Sequence, residues 1–215
     1  MLLPIVTEFQ DEVNEIRGVF LAGHETKDVH CRIMPYCPLD DGCLVSLWDA
    51  WNRYMRTLYL TSVLGPCTGV SGKRYDPQSP MEEPEAIHQL REAAMRRDSG
   101  IPMAGREPKW FVVSAVYSIG ECLDLPNVTV IADAVTQSDI LLEPGFRVQS
   151  PLEEMRVARN YVAHKSIVNA HAVRARMVSG SVDLSDYLRE LTRGGATRFD
   201  DWADALIGLA WDAAL

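Results

Sequence analysis

The chain has 215 residues, with 21 basic against 30 acidic side chains and a formal net charge of −9. Such a length suffices for one domain with a real core, and the acidic balance argues against tight, indiscriminate binding of polyanions. Hydrophobic residues at 47% and charged residues at 24% are ordinary for a globular protein, and no apolar run is long enough to span a bilayer, so no membrane partner is expected.

At the start, Met1 to Val6 lacks a basic flank and meets an acid by Glu8, which does not read as a signal peptide. The first helix is predicted from Val6 to Ala22. Phe9, Val13, Ile16 and Phe20 share one face, Asp11, Glu12 and Glu15 cover the other, and Gly23 is placed to stop it. The loop that follows holds His24, His30, Cys31, Cys37 and Cys43. Mixed Cys and His invite a zinc site, but the cysteine spacing lacks the close pairs that grip zinc. No metal or other cofactor is expected, and these cysteines read as small buried apolar groups. Five cysteines in all, an odd number, point to reduced thiols and a cytoplasmic location.

Asp40 and Asp41 are placed to cap a second helix, Leu44 to Leu64. Leu44, Leu47, Trp48, Trp51, Met55 and Leu58 form its apolar face, and Gly65-Pro66 ends it. Residues 65–108 mix five glycines with six prolines around one helical run, Glu85 to Arg97, and read as a flexible insertion. Its basic residues Lys73, Arg74, Arg91, Arg96 and Arg97 can face an RNA backbone. Interleaved Glu82, Glu83, Glu85 and Glu92 favour a solvated surface instead. A third core helix is expected from Trp110 to Cys122. Val128 to Val135 suits a short helix because a lone strand has no visible partner, and a loop from Ile140 to Val148 follows.

Ser150-Pro151-Leu152-Glu153 carries the signature of a helix start. Ser150 can accept from the backbone three residues on, Glu153 can reach back, and Pro151 sits where its missing N–H costs nothing. No glycine or further proline appears before Gly180, so one long helix is predicted. Its apolar seam takes Met155, Ala158 and Val162, widened by Val157, Tyr161 and Val168. Past it, Leu184, Tyr187, Leu188 and Leu191 make a short helix ended by Gly194-Gly195. Thr197 caps the last helix with Asp200 at the third position, and Trp202, Leu206, Leu209 and Ala210 pack inward. The sum is an all-α chain, a single domain over residues 1–215 built as an antiparallel helical bundle.

Charge is distributed unevenly. Between Glu154 and Asp183 there is no carboxylate, while Arg156, Arg159, Lys165, Arg174 and Arg176 all fall there. A basic helix on an acidic protein either presents a local anion site or pairs its arginines with acids elsewhere in the fold. Within it, Arg159-Asn160-Tyr161-Val162-Ala163-His164 resembles the signature of the HEPN superfamily, which is an Arg, a polar residue, then a His a few positions on. The resemblance implies a HEPN-like bundle, an endoribonuclease acting without metal, and a role as a toxin or antiviral defence effector. It implies a site shared by two protomers of a homodimer, with Arg159, Asn160 and His164 catalytic, and it leaves room for a neutralising or regulatory protein partner. Ser166 stands where some relatives carry a modified Tyr, so that control route is not expected.

The residue types suit the chemistry. RNA cleavage by the 2′-OH needs a base, an acid and a stabiliser of charge on the phosphate. Histidine has the side chain whose ordinary pKa lies closest to neutrality, so His164 fits either proton-transfer role. Arg159 offers a fork of donors matched to two phosphate oxygens, and Asn160 can donate to the phosphate or hold the imidazole. Arg156, Lys165 and Arg174 are the candidate RNA contacts. Reliance on the 2′-OH selects RNA over DNA. The competing reading is a non-catalytic helical subunit that uses Arg159 to assemble with a defence or toxin–antitoxin complex.

Overall fold

The computed structural model describes residues 1–25, 37–77, 80–86, 150–164, 167–175 and 183–215. Outside them lie the expected helices at Trp110–Cys122 and Val128–Val135, the Ile140–Val148 loop, Cys31, Cys122, Lys165 and all but two residues of the Glu85–Arg97 run. Helices take up 75% of the described residues, which are thus mostly helical, consistent with an all-α class. The main ones are α1 (Leu3–Glu25), α2 (Pro38–Leu64), α3 (Ser150–His164), α4 (Ile167–Arg174), α5 (Leu184–Arg189) and α6 (Arg198–Ala213), and residues 83–86 are helical as well. Strands β1 (Cys67–Thr68) and β2 (Arg74–Tyr75) pair antiparallel. No helix among the described residues is long and apolar enough to cross a membrane.

The chain divides into two compact units, each drawing on α1, α2 and α6. In the unit of Glu8–Trp51 and Gln149–Gly208, the apolar faces read from the sequence form the core. Phe9, Val13 and Phe20 of α1 are buried, as are Leu44, Leu47, Trp48 and Trp51 of α2. Phe9 meets Trp51 edge-on at 5.9 Å, and Phe20 stacks on Phe199 of α6 at 4.1 Å. Tyr187 of α5 meets Trp202 of α6 edge-on at 6.1 Å. Pairs of this kind add about 0.5–1.5 kcal/mol each to the area they bury. The start of α6 is set locally: the Thr197 hydroxyl accepts from the Asp200 N–H at 3.1 Å, and Asp200 accepts from the Thr197 N–H at 3.2 Å. That reciprocal cap satisfies two backbone donors that a helix start otherwise leaves open.

Four expectations need correction. Gly23 does not stop α1, which runs on to Glu25. A glycine near a helix end costs only about 1 kcal/mol, and here a Cβ would lie 2.3 Å from Leu39 Cδ2. Asp40 does not cap α2, which begins at Pro38, a position where its missing N–H costs nothing. The Asp40 side chain instead has no exposed surface and receives Arg189 Nε at 2.7 Å, with Arg189 Nη2 and the Ser185 hydroxyl also donating to it. Arg189 in turn lies over the Phe20 ring, 4.5 Å from its centre. Thirdly, the helix predicted to run unbroken to Gly180 is two elements, α3 and α4. Finally, Val168, placed on the apolar seam, and Leu191, placed in the short helix, are 76% and 69% exposed; Leu191 bridges to Thr197 instead of extending α5.

The second unit comprises Met1–Thr7, Asn52–Val148 and Leu209–Leu215. Here α2 stops at Leu64, where Gly65-Pro66 dictates, and its Tyr54 hydroxyl donates to the Ala210 carbonyl at 2.6 Å. Within the stretch read as an insertion, Cys67 to Tyr75 form a β-hairpin. Gly69 N–H donates to the Lys73 carbonyl at 2.8 Å across a three-residue loop, and Gly72 takes φ +84. That left-handed position is what such a loop demands of its last residue. The hairpin is held from both sides: Leu2 N–H donates to the Thr68 carbonyl at 2.8 Å and Val70 N–H to the Ala214 carbonyl at 2.7 Å. A Cβ on Gly69 would sit 2.6 Å from the Leu215 carbonyl oxygen, so only glycine fits. Cys37 and Cys43 are buried, in keeping with their reading as small apolar groups, and Cys67 is buried too.

Breaking one partner of a buried pair strands the other charge, at a cost of about 3–5 kcal/mol. Arg189→Met is therefore expected to lower the urea midpoint by that equivalent. The double variant Arg189→Met with Asp40→Leu should recover much of the loss. A second expectation concerns alkaline pH. Burial, then the Asp40 carboxylate, pushes the Cys43 thiol from 9.0 up to about 11; burial, then Glu154, pushes the Tyr187 phenol from 10.0 up to about 12. Both groups lose their protons at lower pH in the unfolded chain. Their contribution is complete below pH ~9 and is lost as pH rises from there to ~12. Urea midpoints at pH 8 and pH 10.5 check this, and the drop should shrink in Tyr187→Phe.

Candidate active site

Helix α3 is oriented by its apolar residues. Leu152, Met155, Val157 and Ala158 are buried, and this decides where the motif residues fall. Arg159, four positions after Met155, is turned only about 40° from it and so sits at the edge of the buried face. His164, nine positions on, lies about 180° away and is exposed. Asn160 is half-buried between them. The first half of α3 is also tied by charge. Glu154 receives the Tyr187 hydroxyl at 3.5 Å and lies 4.0 Å from Arg198. Arg198 lies over the Tyr187 ring at 4.3 Å and pairs with Glu190 at 3.1 Å. Because burial and Glu154 both favour its neutral form, Tyr187 keeps the proton it offers. The Ser150 and Glu153 side chains of the expected cap lie outside the description, though α3 does begin at Ser150.

The guanidinium of Arg159 differs from those of Arg17, Arg189 and Arg198, each of which pairs with an acid. Its Nη1 donates to Asn160 Oδ1 at 3.4 Å, while its Nε is buried with no hydrogen-bond partner. Among the described residues no carboxylate is paired with it, so the reading in which Arg159 is neutralised by an acid on another helix finds no support there. His164, in the last turn of α3, makes no hydrogen bond or ion pair among the described residues. Arg159 and Asn160 are thus brought together, and His164 stands on the open side of the same helix.

Of the candidate RNA contacts, Arg156 is half-buried, Arg174 is exposed at the end of α4, and Lys165 is outside the description. Helix α4 also exposes His171, Ile167 and Val168, the latter two at 77% and 76%. No group of three or more His, Cys, Asp or Glu suited to a metal ion is present among the described residues.

One contributor was not singled out from sequence. Asn169 of α4 donates from Nδ2 to the backbone carbonyl of Asn160 at 3.1 Å. Along a straight helix, residues nine apart lie about 13.5 Å from each other. The bond therefore requires the chain to fold back between α3 and α4. Nothing in the local pattern marks that reversal: neither glycine nor proline lies between His164 and Ile167.

In comparison with known proteins, no family model matches the chain, and no match is found among curated proteins or solved structures.

A buried donor without a partner costs roughly 1–3 kcal/mol relative to a satisfied or apolar one. Arg159→Met, which keeps the length of the stem and removes the donors, is expected to leave thermal stability unchanged or raise it by up to about 1 kcal/mol. A calorimetric melt checks this, and a large loss of stability would mean that Arg159 has a structural partner.

Proposed function

We propose that this protein is a metal-independent endoribonuclease of the HEPN type, cleaving RNA at a composite site formed by two copies of the chain, and acting as a toxin or antiviral defence effector. The observation that carries the reading is the guanidinium of Arg159, with no acid paired to it among the described residues, on the same helix as an exposed His164. An arginine held at the edge of a core without an acid is available to an external anion. A histidine on the open side of the same helix is available to move a proton.

In this mechanism one imidazole takes the proton from a ribose 2′-OH. The 2′ oxygen attacks phosphorus, the bond to the 5′ oxygen breaks, and a second imidazole supplies the proton that the leaving oxygen needs. The products are a cyclic phosphate and a free 5′-OH. Arg159 stabilises charge on the phosphate oxygens and Asn160 steadies that guanidinium through its side-chain oxygen. Residues five apart on a helix point about 140° from each other, so a single α3 does not aim its own Arg159 and His164 at one phosphorus. A two-fold pair of α3 helices supplies two of each to one groove. Arg156, Lys165 and Arg174 extend the basic track for the RNA backbone. A cytoplasmic setting and a neutralising partner go with this reading.

A second reading is favoured by the exposed Ile167 and Val168 at the start of α4. An apolar pair of this kind also suits a non-catalytic subunit that docks into a larger assembly. The two separate in one experiment. Purified protein incubated with total RNA in EDTA is expected to cut it, and His164→Ala to lower the rate at least ~100-fold with its oligomeric state unchanged. A matching DNA should stay intact. No cleavage by the wild-type protein, or full activity in His164→Ala, removes the catalytic reading.

A further inference from the structure

We infer that Asn169 is a positioning residue of this site, acting through the carbonyl of Asn160; the inference rests on the ribonuclease reading above. By helix geometry, the Asn160 carbonyl is the acceptor for the backbone N–H of His164. The same oxygen receives the Asn169 amide at 3.1 Å. One acceptor therefore joins the second residue of the motif, the backbone of its last residue and the neighbouring helix. The last turn of a helix is where the chain otherwise frays, because its carbonyls lack partners. Here that turn carries the group that moves protons, and His164 itself is exposed and held by no side-chain bond among the described residues.

Position depends on this bond more than stability does. The core face of α3 is secured by Leu152, Met155 and Ala158, and α4 contributes the buried Val173. Asn169 is only half-buried, so replacing it leaves that packing in place. What it sets is the registry between the end of α3 and the start of α4, and with it the direction in which the imidazole leaves the helix. An imidazole misplaced by about 1 Å lowers a proton-transfer rate by up to ~100-fold without weakening substrate binding.

The test compares wild type, His164→Ala, Asn169→Asp and Asn169→Gln on a short RNA substrate in EDTA, with thermal melts of each. Asn169→Asp keeps the shape of the side chain but removes the donor. It is expected to lower kcat roughly 10- to 100-fold, with KM within about twofold and the melt close to wild type. Asn169→Gln, which retains an amide donor, should recover most of kcat. Equal loss in both variants in step with a lowered melt, or an unchanged kcat in Asn169→Asp beside an inactive His164→Ala, overturns the assignment and leaves the ribonuclease reading standing. A wild-type protein that cuts no RNA overturns both.

Discussion

A carboxylate with no exposed surface, Asp40, organises the unit that carries the candidate site. Burying that charge is tolerable only because Arg189 and Ser185 saturate it with donors. The consequences run outward from there. Arg189 fixes α5 against the start of α2 and covers Phe20, which stacks on Phe199 and so brings in α1 and α6. From α5, Tyr187 reaches Glu154 of α3. Arg198 of α6 lies over the Tyr187 ring and near the same carboxylate. The helix bearing Arg159 and His164 is thus held at its first half by contacts that trace back to one buried ion pair.

Its second half is treated differently. Beyond Glu154 the acids stop, and the next carboxylate in the sequence is Asp183. Acids are not scarce elsewhere, and the arginines of the unit show how they are used: Arg17 pairs with Asp200 and Asp204, Arg189 with Asp40, and Arg198 with Glu190. Arg159 has no such partner among the described residues, and its Nε, like those of Arg17 and Arg198, is buried without a hydrogen-bond partner. On an acidic chain that repels polyanions in general, a stretch of sequence without acids is where an anion meets the least opposition.

How much of this was legible beforehand follows from the range of the interactions concerned. The apolar faces of α1, α2 and α6 repeat every three or four residues, and every residue named on the α2 face is buried. The Thr197–Asp200 cap and the stop at Gly65-Pro66 are decided within a few positions by which backbone groups lack partners. The strands at Cys67–Thr68 and Arg74–Tyr75 escaped notice because two residues are too few to show an alternating pattern. The candidate site was legible as residue types, and Arg159, Asn160 and His164 do share one helix. Its geometry was not, because the sequence read through the place where the chain turns back on itself.

The sequence by itself determined that the described residues are mostly helical, where α3, α5 and α6 begin, and which faces of α1, α2 and α6 turn inward, since these rest on periodicity and on backbone groups close at hand. Only the tertiary structure decided that Asp40 is a core residue and not a cap, since its partner Arg189 lies 149 positions away. The same holds for Val168, which lies outside the core because α3 and α4 are separate helices, and for Asn169, which belongs with Asn160. A polar side chain takes its role from the group it meets, and no local pattern records a meeting made by folding.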